Sequence, residues 1–281
     1  MKVEDLIRDD STLGSPPVVV TQLRGVIARK NSSADDIAKV IMSDGPLSAR
    51  LLKLANSAMF GFPGKIDDVG YAVTLIGTKQ VYSLAMATAI IDQFQGVDTG
   101  PFHAEAFWEH SLAVACAGHA LAKVGGHNDR EGVFLTGILH DLGRLAMMVE
   151  ATEPMIVALH RSRKSNEPLS RSEAAVFNFD HTQAAKMLLE RWALPPAVVQ
   201  PVVRHHRPGA DQACCLLHLA DALVHGLAIG HSGEICIPPL QESSWKQANI
   251  KTEALKHAAA ETEITYGLLR RELHGKPAVA A

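Results

Sequence analysis

The stretch Val133-Phe134-Leu135-Thr136-Gly137-Ile138-Leu139-His140-Asp141-Leu142-Gly143-Arg144-Leu145 decides the fold class. Its apolar side chains return every three or four residues, which is the period of an α-helix. The same period runs through Ile37, Val40, Ile41, Leu47, Leu51, Leu52 and Leu54, and again through Leu112, Val114 and Leu121. No segment alternates cleanly between apolar and polar residues as a half-buried strand would. Val18-Val19-Val20 is the one β-branched run, and it is short. These patterns predict an all-α protein of roughly a dozen helices.

Start and stop signals fit that reading. Ser33 with Asp36, and Ser170 with Glu173, have the spacing of capping arrangements. Pro46 and Pro196 suit first-turn positions. Gly61-Phe62-Pro63-Gly64, Gly125-Gly126, Pro208-Gly209 and Pro238-Pro239 read as turns. The segment Gln95-Gly96-Val97-Asp98-Thr99-Gly100-Pro101 is the best internal boundary. It predicts an N-terminal helical lobe over 1–98 and a second lobe over 99–281, ending in one or two further helices and a frayed tail from His274. The final helices either pack on the second lobe or hold a homodimer contact.

Composition narrows the class. The chain has 281 residues, of which 47% are hydrophobic and 20% charged, so it can bury a core without staples and is too apolar for disorder. A net charge of −3 and only 5% aromatics advertise neither a basic nucleic-acid surface nor a base-stacking one. Cys116, Cys214, Cys215 and Cys236 form no CxxC pair and read as free thiols of a reducing cytosol. The acidic start MKVEDLIRDDST has no apolar export signal, and no run of 18 apolar residues suggests a membrane span. A cytoplasmic protein is expected.

The 14 histidines are the outlying number, and every one follows the boundary segment. In order, the chain offers His110, the pair His140-Asp141, His181, the pair His205-His206, and Asp221. Imidazole nitrogens and carboxylate oxygens are ligands that zinc, iron and manganese accept. Each piece alone has a plainer reading. A single histidine on an apolar helix is commonly a satisfied core residue, and His205-His206 could equally close a helix whose dipole favours imidazolium. Helical spacing puts Gly137, His140, Asp141 and Arg144 on one face, with Gly137 leaving room above an ion and Arg144 suited to a substrate phosphate or else to a helix-end surface position. His218, three residues before Asp221, suits a partner that orients a ligand. Trp108 and Met147-Met148 read as core. The remaining histidines, His225 among them, receive no role.

The order of these residues resembles the HD superfamily of metal-dependent phosphohydrolases. That resemblance implies one metal site formed by His110, His140, Asp141 and Asp221, with Asp141 bridging to a second ion held by His181, His205 and His206. One or two divalent ions (iron, manganese or zinc) are the implied cofactors, and an ion of this kind acidifies water for attack on a phosphoester. A narrower likeness lies in the run Ile37 to Phe60 with Ala55-Asn56-Ser57, in Ile66-Asp67-Asp68-Val69, in Ala72-Val73-Thr74-Leu75-Ile76-Gly77, and in Ala184 to Pro195. Over about residues 12 to 230 the chain resembles the HDOD family, the HD-related output domains of bacterial signalling proteins; Ala185 stands where that family more often has glycine. The related HD-GYP cyclic-di-GMP phosphodiesterases follow their His-His pair with a Gly-Tyr-Pro signature. Here Arg207-Pro208-Gly209-Ala210 follows instead. The resemblance therefore implies a regulatory protein that works through contacts with a signalling partner, the contact falling on the histidine-free lobe. A metal-dependent phosphohydrolase acting on a nucleotide or another phosphoester is the alternative, and an iron-based redox or gas sensor is a third reading.

Overall fold

Ser33 shows how the helices begin. Its hydroxyl accepts from the Asp36 N–H at 3.2 Å, and the Asp36 carboxylate accepts from the Ser33 N–H at 2.9 Å. Two orphan donors at the helix start are thus satisfied reciprocally. Asp44 and Asp68 cap two further helices by accepting from Leu47 and Tyr71, and Pro46 and Pro196 occupy first-turn positions as their sequence context predicts. The computed structural model describes residues 1–7, 13, 15–29, 31–56, 64–94 and 103–274. Among these there are helices and no strand. The boundary expected at 95–101 lies outside the described residues, as do Ser57 and most of the turn expected at 61–64.

Contacts divide the chain into two units. One comprises α1 (Val18–Ile27), α2 (Ala34–Met42), α3 (Gly45–Ala55), α4 (Val69–Ile76) and α5 (Thr78–Gln93), together with the end of the last helix from Glu261. Here α2 packs on α4 and α3 on α5. Asn56 closes α3, and its side-chain amide both donates to the Ile66 carbonyl and accepts from the Ile66 N–H, at 2.6 and 2.7 Å.

The second unit holds α6 (Ala104–Val124), α7 (Arg130–Leu139), α8 (Leu142–Glu150), α9 (Thr152–Ser165), α10 (Leu169–Phe177), α11 (His181–Arg191), α12 (Pro196–Arg204), α13 (Gln212–Leu227), α14 (Glu242–Gln247) and the first turns of α15 (Thr252–His274). Its framework is α6 packed between α7 and α13, with α11 against α8 and α12. Met1–Ser15 belongs to this unit too, contrary to a simple division near residue 98. Arg191 donates to the Ile7 carbonyl, and the buried Trp192 indole donates to the Leu13 carbonyl. Met147 and Met148 are core, as expected, and all four cysteines are free. By length and composition Gly132–Glu150 could cross a membrane, but 89% of that stretch is buried inside the protein.

Two local expectations are corrected. Glu173 does not cap α10; Pro168 precedes that helix, and Glu173 is buried. Gly137 does not open space over an ion. A Cβ there would stand 2.5 Å from the Ala115 Cα, so its role is the close approach of α7 to α6.

Candidate metal centre

Five segments of the second unit converge. His110 projects from α6, His181 is the first residue of α11, and Asp221 lies on α13. His205 and His206 directly follow α12. Contrary to the single helix that the periodicity predicts, α7 ends at Leu139 and Asp141, at φ −99° and ψ 8°, is the N-cap of α8. The break lies between two apolar-periodic helices, so hydrophobic spacing does not reveal it. His110, His140, Asp141, His181, His205 and Asp221 are buried, and His206 is half-buried.

The donor atoms face one another. Asp221 Oδ1 lies 3.3 Å from His110 Nε2 and 3.6 Å from His140 Nε2. His140 Nε2 is 3.2 Å from Asp141 Oδ2. On the other side, Asp141 Oδ1 is 3.4 Å from His181 Nε2 and 3.9 Å from His205 Nε2. His181 Nε2 sits 3.4 Å from His205 Nε2 and 3.1 Å from His206 Nε2. The donor atoms form three overlapping groups: His181, His205 and His206; His110, His140 and Asp141; and His110, Asp221 and His225. Asp141 belongs to the second and turns its Oδ1 toward the first.

The rest of each ring shows what these atoms offer. His140 Nδ1 donates to the Gly137 carbonyl at 2.8 Å, and His205 Nδ1 donates to the Val202 carbonyl at 2.7 Å. His181 Nδ1 pairs with the Glu173 carboxylate at 2.6 Å. With Nδ1 spent as donor, a neutral imidazole carries its lone pair on Nε2. Lone pairs thus point at lone pairs and at carboxylate oxygens. His110 Nε2, His140 Nε2, Asp141 Oδ1 and Asp221 Oδ1 are buried without a hydrogen-bond partner. Buried polar atoms are seldom left in this state. A bound cation would satisfy them, and the nitrogen–oxygen donor set fits zinc, iron or manganese.

A ring of supporting residues orients the ligands. The buried Arg144 donates to Asp141 Oδ2 at 2.8 Å, to Glu173 Oε1 at 3.1 Å and to the Ser232 hydroxyl at 2.9 Å, with Glu234 3.5 Å away. Its guanidinium thus lies inside the protein, with Nε and Nη1 engaged on Asp141 and its neighbours and Nη2 buried without a hydrogen-bond partner. Glu173 accepts from both the His181 N–H and the His181 ring. His218 donates to the His205 carbonyl at 2.7 Å and accepts from the Gln241 N–H at 3.1 Å, which ties α13 to the His205-His206 segment. His225, given no role by its sequence context, sits one helical turn after Asp221 with Nδ1 3.0 Å from the Asp221 carboxylate. The i, i+4 spacing on α13 was its available signal. Glu173, Ser232 and Glu234 carried none.

Electrostatics favour the ligand forms of both carboxylates and of His110, His205 and His206, but not of His140. Burial opposes ionisation of Asp141 and Asp221, but Arg144 and His140 around the first, and His225, His110 and His140 around the second, hold both carboxyls well below the usual range. Burial pushes His110 down, and burial with the charges of His140 and His181 takes His205 down to about 3. Burial and the neighbouring histidines do the same to His206. At His140 the two carboxylates overcome burial and raise the ring to about 10. A cation at His140 would have to displace that proton.

Known proteins share this architecture. A solved HDOD domain protein of unknown function from Geobacter sulfurreducens is similar at a TM-score of 0.75 and 21% identity, over 92% of this chain and 91% of that one. A protein from Shewanella amazonensis SB2B, provisionally assigned as a phosphohydrolase, gives 0.73 at 21% identity over 97% and 96%. At these identities the likeness shows the fold alone. A curated, uncharacterized protein of Treponema pallidum (strain Nichols) is 24% identical over 191 residues, which make up 68% of this chain and 37% of the relative. The chain therefore spans little more than a third of the curated relative it matches. The HDOD domain model matches residues 13–208, most of the sequence, and the chain belongs to the HDOD domain family.

Proposed function

We propose that the protein is a regulatory HDOD module of bacterial signal transduction, built around a His/Asp metal centre and passing its signal on through protein contacts. The enclosure of the centre carries this reading. Six of the seven candidate ligands are no more than 3% exposed, which suits a structural or sensing site better than a catalytic one with an open position. His110, His140, Asp141 and Asp221 would hold one divalent ion, and His181, His205 and His206 a second, with Asp141 shared. When bound, such an ion supplies positive charge and Lewis acidity. We place the protein in the cytoplasm with a signalling protein as partner and the histidine-free N-terminal segment before residue 98 as the contact surface; a homodimer is a further form of this reading. Neither a membrane nor a nucleic acid enters it.

A phosphohydrolase acting on a nucleotide or phosphoester is the second reading. The half-exposed His206 favours it, since the group it completes reaches the surface. The test is elemental analysis of the tag-free protein beside Asp141→Ala, followed by a panel of phosphomonoesters, phosphodiesters and nucleotides. The regulatory reading expects bound iron, manganese or zinc, its loss in the variant, and no turnover. Turnover that disappears in Asp141→Ala would transfer the assignment to the hydrolase. A protein that neither carries nor takes up metal would overturn both.

A further inference from the structure

We propose that the histidine-bearing unit contains a second, separate site that binds a small organic anion, an oxyanion head on an apolar body. The site is a cavity of about 420 Å³ between the start of α6, the length of α9 and the segment that follows α13. None of the metal ligands lines it. Its charged and polar side chains are His103, His160, Arg163 and His231, and Ile156 and Leu159 form an apolar wall. No carboxylate lines it among the described residues. The side chains of His103, His160 and Arg163 make no hydrogen bond or ion pair among those residues. Such a volume lies within the range of small-molecule sites, which combine an apolar wall with a few convergent polar groups.

The arrangement selects the ligand's chemistry. Ile156, His160 and Arg163 share one face of α9 at four- and three-residue spacing, which sets the apolar wall beside the cationic groups. His231 is fixed from two sides. Its N–H donates to the Ala106 carbonyl at 2.8 Å, and its Nδ1 accepts from the Gly233 N–H at 2.8 Å. The ring proton therefore resides on Nε2, ready to donate. Burial and the charge of Arg163 hold His231 below its ordinary value, so it meets a ligand as a neutral donor. A guanidinium fork pairs with two oxygens of a carboxylate or phosphonate, and the imidazole adds a further donor. A metal ion is disfavoured by the adjacent Arg163. These histidines also form none of the convergent donor groups found among the described residues.

The segment that brings His231 and Gly233 into this cavity places Ser232, between them, on Arg144, which steadies Asp141. An occupant thus bears on the support of the metal centre, as an input to a regulator requires. That last link rests on the regulatory reading above; the binding site does not.

The experiment is calorimetric titration of the whole chain with phenylphosphonate and, separately, with inorganic phosphate. It is repeated with Arg163→Gln, with His231→Gln, and with wild-type protein after chelation. Saturable binding of phenylphosphonate is expected, about tenfold or more tighter than inorganic phosphate, weakened about tenfold or more by either substitution and retained after chelation. Arg163 and His231 lie at the surface, and unchanged circular dichroism of the variants shows that the fold is kept. Absence of saturable binding, equal affinity for the two probes, indifference to both substitutions, or loss on chelation each overturns the site. A chain without metal would still bind phenylphosphonate, prefer it to inorganic phosphate and lose affinity in either variant, so failure here and failure of the metal reading are distinguishable.

Discussion

Glu173 carries the first prediction. It is a buried carboxylate with two tasks, fixing the His181 ring so that Nε2 faces Asp141, and accepting from Arg144. Glu173→Ala leaves a guanidinium and an imidazole without their partner in the interior. The expected cost is about 3–5 kcal/mol of stability, with metal affinity lowered roughly 10- to 100-fold as for other residues that orient ligands. Urea denaturation and a chelator competition titration measure the two effects. Wild-type affinity in the variant would show that Glu173 only fills space. The ligand set was legible in the sequence because few other residues can replace histidine and aspartate at a cation, and their order is distinctive. Glu173 was not, because Ser170 and Glu173 have the spacing of a helix cap, and only the tertiary fold turns that carboxylate inward. Arg144 shows the same limit: the sequence placed it beside Asp141, and the three groups that occupy it come from distant segments.

At the level of elements, the hydrophobic period located the helices well, since each buries one stripe. It missed the interruption at His140-Asp141, because apolar residues at Leu139, Leu142 and Leu145 continue in phase across it. The close packing that holds α8 to α11 was also silent in the sequence. Gly143 lies so near the His181 carbonyl that a Cβ cannot be accommodated. Gly143→Ala must push α11 away, at about 1–3 kcal/mol for an overpacked core, and must shift His181 with it. Gly226, inside α13, has nothing within 4 Å of its own missing Cβ. Gly226→Ala is therefore expected to stabilise by about 0.4–1 kcal/mol through the unfolded chain. Denaturation midpoints of the two variants should move in opposite directions. A common direction would mean that the α8–α11 contact relaxes freely. At the start of α2, Ser33→Ala removes the reciprocal cap and is expected to cost about 1 kcal/mol, read in the unit that holds α1 to α5.

For the whole molecule, the sequence placed every histidine after residue 100, and the contacts assign the metal centre to one of two units. What it could not show is that Met1–Ser15 joins the histidine-bearing unit, since the bonds from Arg191 and Trp192 link residues about 180 positions apart. Two units allow two unfolding transitions, and the protein has a built-in way to separate them. Trp108, Trp192 and Trp245 all lie within Gly96–Ala260, so tryptophan fluorescence reports the unit with the candidate metal centre while circular dichroism reports both. A metal bound only by the folded state adds about 2.7 kcal/mol at a free concentration one hundred times its Kd. The fluorescence midpoint should therefore rise with added metal, while the residual dichroic transition stays in place. In metal-free protein the pH dependence of that midpoint follows from the histidines. His110, His205 and His206 lie below their ordinary 6.5 when folded, so the unfolded chain binds more protons, and stability falls as pH drops from about 6.5 toward about 3. His140, raised to about 10, has the opposite sign; its contribution is present below pH 6.5 and fades as pH rises toward about 10. His218 and His231 are also lowered and His225 is also raised, so five imidazoles against two predict a steep acid-side loss of the fluorescence midpoint and a shallower alkaline one. Bound metal should resist the acid loss until protons displace it from the imidazoles. A midpoint that ignores pH between 4 and 6.5 would mean that these rings are open to water in solution, and the enclosed centre would then be wrong.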